Sequence, residues 1–314
     1  MRILKFPAIV FLVFASVQMA TAELPRVTLT KTKVALQVEF GGKPFTTYRF
    51  GADEKPPFVR PFFYPVLAAD GTEVTVDRVR SGGDHPHHRS FWVGHGDVNG
   101  IDHWSFQQKP APPRQQHIKF DKLEADGFVE QLIWEDMQGQ PLLNEVRTVR
   151  FIPYADGARA VDITVKLSAA RGDVTLGDTK EAGLAAVRVS SQISAKPVLL
   201  NSNGAEGEKQ VWGKPADWCD ESGNIDGKPY GIAIFDHPGN PRHPTPWHSR
   251  EYGLVAPNAF GLHEFDKKLP KGAGNLKIPK GESLTFRYRV IIHEGAAASA
   301  NLPEKYKEFS ESSK

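Results

Sequence analysis

Histidine is crowded into one stretch of this chain. Five of the eleven histidines, His85, His87, His88, His95 and His103, fall within nineteen residues, among Asp84, Arg89, Trp92, Asp97, Asn99, Asp102 and Trp104. In an extended strand His85 and His87 would point to the same side. Three uses fit such a pattern. Two imidazoles on one side can reach a single Zn, Cu or Fe ion. His and Arg can donate hydrogen bonds to a sugar while Trp92 or Trp104 covers its apolar face. Buried histidines can also satisfy backbone carbonyls at a strand–loop corner. A cupin-type metal site fits poorly, because Arg89, Ser90 and Phe91 stand where a glutamate is needed and no Glu follows before Glu124. A two-histidine, one-carboxylate site would have to borrow a distant acid, Glu181 or Asp236.

A second cluster is Asp178-Thr179-Lys180-Glu181-Ala182-Gly183, just ahead of the strand-like run from Leu184 to Ser190. A carboxylate at the mouth of a strand is well placed as a general base, or is a solvated turn acid. A third runs from Phe235 to Arg250 and holds four prolines, three histidines (His237, His243, His248) and two arginines (Arg242, Arg250), beside Asp236. Proline fixes φ and lowers the entropy lost on ordering, so such a loop can hold side chains in place. Trp212, Trp218 and Asp220 form a weaker fourth group, in which Trp218 is either a stacking platform or core. His117 and His293 read as structural or exposed. Cys219 is the single cysteine, so no internal disulfide forms, and a buried inert thiol is the simplest reading of it.

Something rigid must hold these segments. Val34, Leu36, Val38 and Phe40 alternate with polar or small residues, as do Val161 to Leu167 and Leu284 to Ile292. A period of two is that of a strand with one buried face. Turn dipeptides punctuate the runs at Gly41-Gly42, Asp70-Gly71, Asp126-Gly127, Asp156-Gly157 and Lys280-Gly281. The one helical pattern is short, Pro303 to Phe309, followed by a polar end expected to fray. The spacing predicts an all-β protein, a large antiparallel β-sandwich.

The start of the chain reads as a signal peptide over 1–22. Arg2 and Lys5 precede a stretch from Ala8 to Val17 that is apolar but for Ser16, and Ala20-Thr21-Ala22 supplies the cleavage pattern. The stretch is too short to span a bilayer, which takes about 20 residues. The expected mature domain is 23–314, periplasmic or secreted. Its 37 basic and 37 acidic residues cancel, since the 39 Lys and Arg of the whole chain include Arg2 and Lys5. A chain without net charge has no long-range field for nucleic acid or anionic membrane, and neither partner is expected.

The stretches from Arg60 to Thr75, Gly83 to Trp104, Gly177 to Gly183, Trp218 to Gly223 and Ile234 to Leu254 resemble the PmoA-like family of exported bacterial proteins, of undefined function. That family is similar in architecture to the galactose-mutarotase-like supersandwich. The resemblance implies a carbohydrate site lined by His, Arg and a carboxylate, with no residue-by-residue catalytic assignment.

The expectation is an exported carbohydrate-active enzyme binding a neutral sugar or glycoside without a cofactor. Glu181 is the general base and His88 or His248 the general acid. Arg60, Arg89 and Arg242 orient oxygens, and His85, His87, Trp92, Trp218, Asp236, His237 and His243 line the substrate. The first alternative is an enzyme of one transition metal ion held by His85, His87 and a histidine of the third cluster, such as His243. The second is a non-catalytic glycan-binding module.

Overall fold

A computed structural model describes residues 23–51, 59–109 and 111–312. The signal peptide read over 1–22 lies outside the described residues. Among those described are seventeen strands: β1 (Val27–Lys31), β2 (Ala35–Phe40), β3 (Lys43–Arg49), β4 (Phe62–Val66), β5 (Phe91–His95), β6 (Arg114–Glu124), β7 (Gly127–Glu135), β8 (Pro141–Pro153), β9 (Arg159–Ser168), β10 (Val174–Leu176), β11 (Ala182–Arg188), β12 (Val198–Asn201), β13 (Trp218–Ile225), β14 (Lys228–Asp236), β15 (Leu254–Val255), β16 (Leu276–Ile278) and β17 (Ser283–Glu294). Seven form an antiparallel sheet in the order β1-β2-β3-β4-β5-β11-β15 and eight form a second, β12-β13-β14-β17-β9-β8-β7-β6. The expected all-β antiparallel sandwich is therefore the observed fold. No described helix is long and apolar enough to cross a membrane.

The period of two sorts the side chains into layers. Val161, Ile163 and Val165 of β9, with Phe286, Tyr288 and Val290 of β17, turn inward to meet Leu36, Val38, Phe63, Phe91 and Val187 of the other sheet in the central core. The alternate residues face outward. On the eight-stranded sheet they form a satellite core of Ala160, Trp218, Ala233, Phe235 and Ile291, covered by a C-terminal helix (Leu302–Glu311) through Leu302 and Phe309. That helix continues past Phe309, where fraying was expected. Trp218, 7 % exposed, is core here and not a stacking platform. On the outer side of the seven-stranded sheet a second satellite gathers Phe62, Trp92, Trp104, Ala186, Leu254 and Ala256.

Two polar features lie inside this apolar frame. Between the sheets, Arg147 donates to both oxygens of Glu145, at 2.7 and 3.0 Å, and to the Tyr48 hydroxyl at 3.0 Å. Tyr48 in turn donates to Glu130, which also meets His117 at 2.6 Å. Beside the satellite core, on the same face of the sheet, His293 bonds Asp220 at 2.8 Å with both side chains buried. His117 and His293 are thus both structural.

Candidate functional site

The site is built on the outer face of the seven-stranded sheet, where β5 and β11 run side by side with Ala182 opposite His95 and Ala186 opposite Trp92. The chain enters β5 through the histidine-rich segment, and it does not arrive extended. His85 has φ of 50° and its carbonyl accepts from the His88 amide at 2.9 Å, so His85 to His88 is a turn. The same-side strand geometry expected for His85 and His87 is replaced by something tighter. The His85 and His88 rings stack at 4.9 Å, and His87 meets His88 edge-on at 4.6 Å.

Each ring has a fixed surround. His85 stacks on Tyr252 at 4.8 Å and donates from Nδ1 to Asp84 at 2.9 Å, which leaves Nε2 as an acceptor. His88 stacks on Trp92 at 5.1 Å, and its Nδ1 lies 3.0 Å from Arg188 Nη1. A guanidinium only donates, so Nδ1 accepts and the His88 proton sits on Nε2. Burial, then repulsion from His87 when that ring is protonated and from Arg188, pushes the His88 pKa far down; burial, then Arg60, lowers that of His87 to about 4. Both imidazoles are neutral at pH 7.

Glu181 comes to the same place from β11. Its carbonyl accepts from the Gly96 amide at 2.7 Å, closing the end of β5 against the mouth of β11. A Cβ on Gly96 would lie 2.8 Å from that carbonyl and 3.0 Å from Glu181 Cβ, so only glycine permits this approach. The carboxylate, 38 % exposed, pairs with Lys180 at 3.1 Å. Glu181, Thr179, His85, His87, Asp102 and Trp104 line one open cavity of about 280 Å³. Asp102 accepts from the Trp104 and Ser105 amides at 2.7 and 2.9 Å and so shapes the wall rather than facing a ligand.

Arg60 and Arg89 sit behind the cavity. Arg60 is buried, donates to the carbonyl of Trp104 at 2.8 Å and to that of His87, and lies against Trp92 and Phe106. It ties the histidine turn to the Trp104 loop. Arg89 is held by Asp77 at 2.6 and 3.0 Å over the Phe62 ring. Trp92 is buried beneath His88. None of the three lines the Glu181 cavity, but Arg60 and Arg89 line an adjoining opening of about 210 Å³ that shares His87 with it.

The third cluster splits in two. Its chain leaves β14 of the eight-stranded sheet and ends at β15, which pairs with β11 in the other sheet. Only the far half reaches the site. Tyr252 stacks there, and its hydroxyl is pushed up to about 12 by burial and then by Glu181. His248 lies close behind, 1 % exposed, accepting from the Trp212 indole at 3.1 Å, with its pKa lowered to about 3 by burial and then by Lys180. The near half stays with the eight-stranded sheet. Arg242 donates to the carbonyls of Ala259, Gly274 and Asn275 at 2.6 to 2.8 Å, a clamp between loops. His243 lies between Asp236 at 2.8 Å and Asp217 at 3.4 Å, and His237 faces a different cavity. Asp236, His237, Arg242 and His243 are therefore not part of the Glu181 cavity, and the ligand set His85, His87 and His243 is not assembled. Among the described residues no three His, Cys, Asp or Glu side chains are placed to hold one metal ion.

Sequence reasoning missed Arg188 and Tyr252. Arg188 was detectable as a lone charge in the apolar run Leu184 to Val189, because a buried guanidinium implies a partner. It also bonds Asp84 at 3.1 Å and lies over the Tyr252 ring at 4.7 Å. Replacing Arg188 by Met should cost about 2–3 kcal/mol, the loss of the charge-assisted bonds that a buried guanidinium makes to His88 and Asp84. Urea denaturation reads this directly, and an unchanged midpoint would show that Arg188 holds nothing.

The family of unknown function DUF6807 has a sequence model that matches residues 35–307. The chain belongs to that family. No curated protein sequence matches it. Among solved structures, a GalM/aldose epimerase homologue from C. elegans is similar over 86 % of this chain and 99 % of its own, at 8 % identity and TM-score 0.35. A polysaccharide lyase is similar over 88 % of this chain and 34 % of its own, at 12 % identity and TM-score 0.30. Likeness at that level describes the course of the strands and assigns no chemistry to this DUF6807 member.

Proposed function

We propose that this protein is an exported carbohydrate-active enzyme that moves protons on a sugar or glycoside held in the Glu181 cavity. The observation that supports the reading is convergence: a half-exposed carboxylate and two imidazoles, far apart in sequence, line one opening. Glu181 is the general base. His87, neutral at pH 7, donates to or accepts from a hydroxyl, and His85, with its tautomer fixed by Asp84, offers a lone pair on Nε2. His88 and His248, which are buried, give up the general-acid role: the proton taken by Glu181 is returned from it, while neutral His87 polarises an oxygen by hydrogen bonding. His88 becomes a positioning residue held by Arg188. The half-buried Tyr252 ring, stacked on His85 beside the cavity, gives the apolar face that a sugar requires. A carboxylate paired with imidazoles suits mutarotation, epimerisation or β-elimination.

Calorimetric titration with a panel of monosaccharides and aryl glycosides, followed by turnover of whichever binds, tests this. His87→Ala should weaken binding at least tenfold. Glu181→Gln should keep binding and lose about 10²–10⁴ in rate, the usual contribution of one acid/base group. Unchanged turnover in Glu181→Gln would overturn the assignment, and binding without turnover in the wild type would make the protein a glycan-binding module.

A further inference from the structure

The opposite face of the molecule has a cavity that the reading above leaves unused. On the outer side of the eight-stranded sheet, cross-strand pairing sets residues in rows. Thr148 of β8 lies opposite Thr164 of β9, which lies opposite Arg287 of β17. Two residues along, Arg150, Asp162 and Arg289 form the next row. With His237, most of these side chains line an opening of about 330 Å³ beside the C-terminal helix.

Three charged side chains line the opening, Arg150, Asp162 and Arg287, and the first two are held by partners. Arg289 holds Asp162 at 2.6 and 2.8 Å and reaches Glu308 at 2.9 Å. Arg150 reaches Glu124 and Asp126 at 3.2 and 3.1 Å. Arg287 makes no ion pair among the described residues, although its backbone is pinned on both sides by Asn240 at 2.7 Å. His237 supplies a second donor. The Gly239 amide donates to its Nδ1 at 2.9 Å, which puts the proton on Nε2. That Nε2 is buried, in a residue 5 % exposed, and has the Ser312 backbone near it without a well-formed hydrogen bond. A buried N–H so poorly met leaves room for a better acceptor.

We propose that this cavity is a second binding site, for the carboxylate of a sugar acid. One unpaired guanidinium matches a monoanion, and its planar fork matches a carboxylate. The His237 N–H and the Thr148 and Thr164 hydroxyls meet the neighbouring oxygens. The carboxylate belongs either to a free uronic acid or to the end of an acidic polysaccharide.

The test is titration of the full-length mature chain at low salt with sodium glucuronate, a short oligogalacturonate, and the uncharged methyl ester of glucuronic acid. Glucuronate should bind, the ester at least tenfold more weakly, and Arg287→Ala should lose at least tenfold. Thr164→Val, which changes no charge and little volume, should lose about threefold by removing one of several hydrogen bonds. It keeps the test alive if Arg287→Ala fails to fold. His87→Ala, which weakens binding in the first cavity, should bind glucuronate like the wild type, which separates this site from that one. Tighter binding of the oligomer names the polysaccharide as the source, and equal binding names the free acid. An Arg287→Ala variant that binds within twofold of the wild type, a wild type that binds nothing, or a loss in His87→Ala would overturn the proposal.

Discussion

Replacing Arg147 by methionine should lower stability by about 3–5 kcal/mol, the range for removing one partner of a buried ion pair. Arg147 is 1 % exposed, and it stands between Glu145 and Tyr48, with Glu130 beyond. Burial alone would lower its pKa, but Glu145, Tyr48 and Glu130 outweigh burial and raise it. Without the guanidinium, Glu145 keeps only the Trp134 indole at 2.6 Å, and its charge has no counterion in the core. Against a total of about 5–15 kcal/mol for a typical domain, such a loss takes much of what holds the fold. Tyr48→Phe should cost much less, because Arg147 and both glutamates remain. Chemical denaturation of the two variants checks this. Equal small effects would show that the network contributes little.

Acid should unfold the protein well before most carboxylates are protonated. His95 and His103 are pushed down to about 3, His87 to about 4 and His248 to about 3, each by burial first. In the unfolded chain a histidine titrates near 6.5. Below that value the unfolded state binds protons that the folded state refuses. The stability these groups contribute is therefore complete above pH ~6.5 and is lost as pH falls toward 4 and 3. For fully buried His95 and His103 the loss is on the order of 3 kcal/mol each. His243 and His293 act in the other direction. Burial lowers their pKa, but Asp236 and Asp220 outweigh it and raise both. Their contribution is complete below pH ~6.5 and lost as pH rises through their folded values, so it falls outside the acid window. Melting temperature should drop steeply from pH 6.5 to 4.5, and His103→Phe, which keeps a ring against Trp134, should flatten that slope. A level curve in the wild type would contradict the burial of neutral imidazoles.

The fold was legible because it follows from local rules. The alternation of Val161 to Leu167 and of Leu284 to Ile292 is the alternation of β9 and β17, and each turn dipeptide lies at or beside an observed turn. The site was legible only in part. Glu181 and the histidine turn do meet, because β5 and β11 are neighbours, a long-range pairing that no local pattern records. Phe235 to Arg250 read as one loop with one role. In space it crosses from one sheet to the other, and a sequence does not mark where the crossing falls. Composition favoured His88 and His248 as acids, but ring stacking and burial put both behind the surface. Exposure, and not residue type, separates the imidazoles that can meet a ligand from those that hold them.

The central claim is that one cavity, walled by Glu181, His85 and His87, receives a sugar. A crystal of residues 23–314 soaked with the tightest-binding glycoside from the titration panel tests it most directly. The account predicts density for the sugar between the Glu181 carboxylate and the two imidazoles, with a ring face toward Tyr252. Density elsewhere on the molecule, with this cavity holding only solvent, would contradict it.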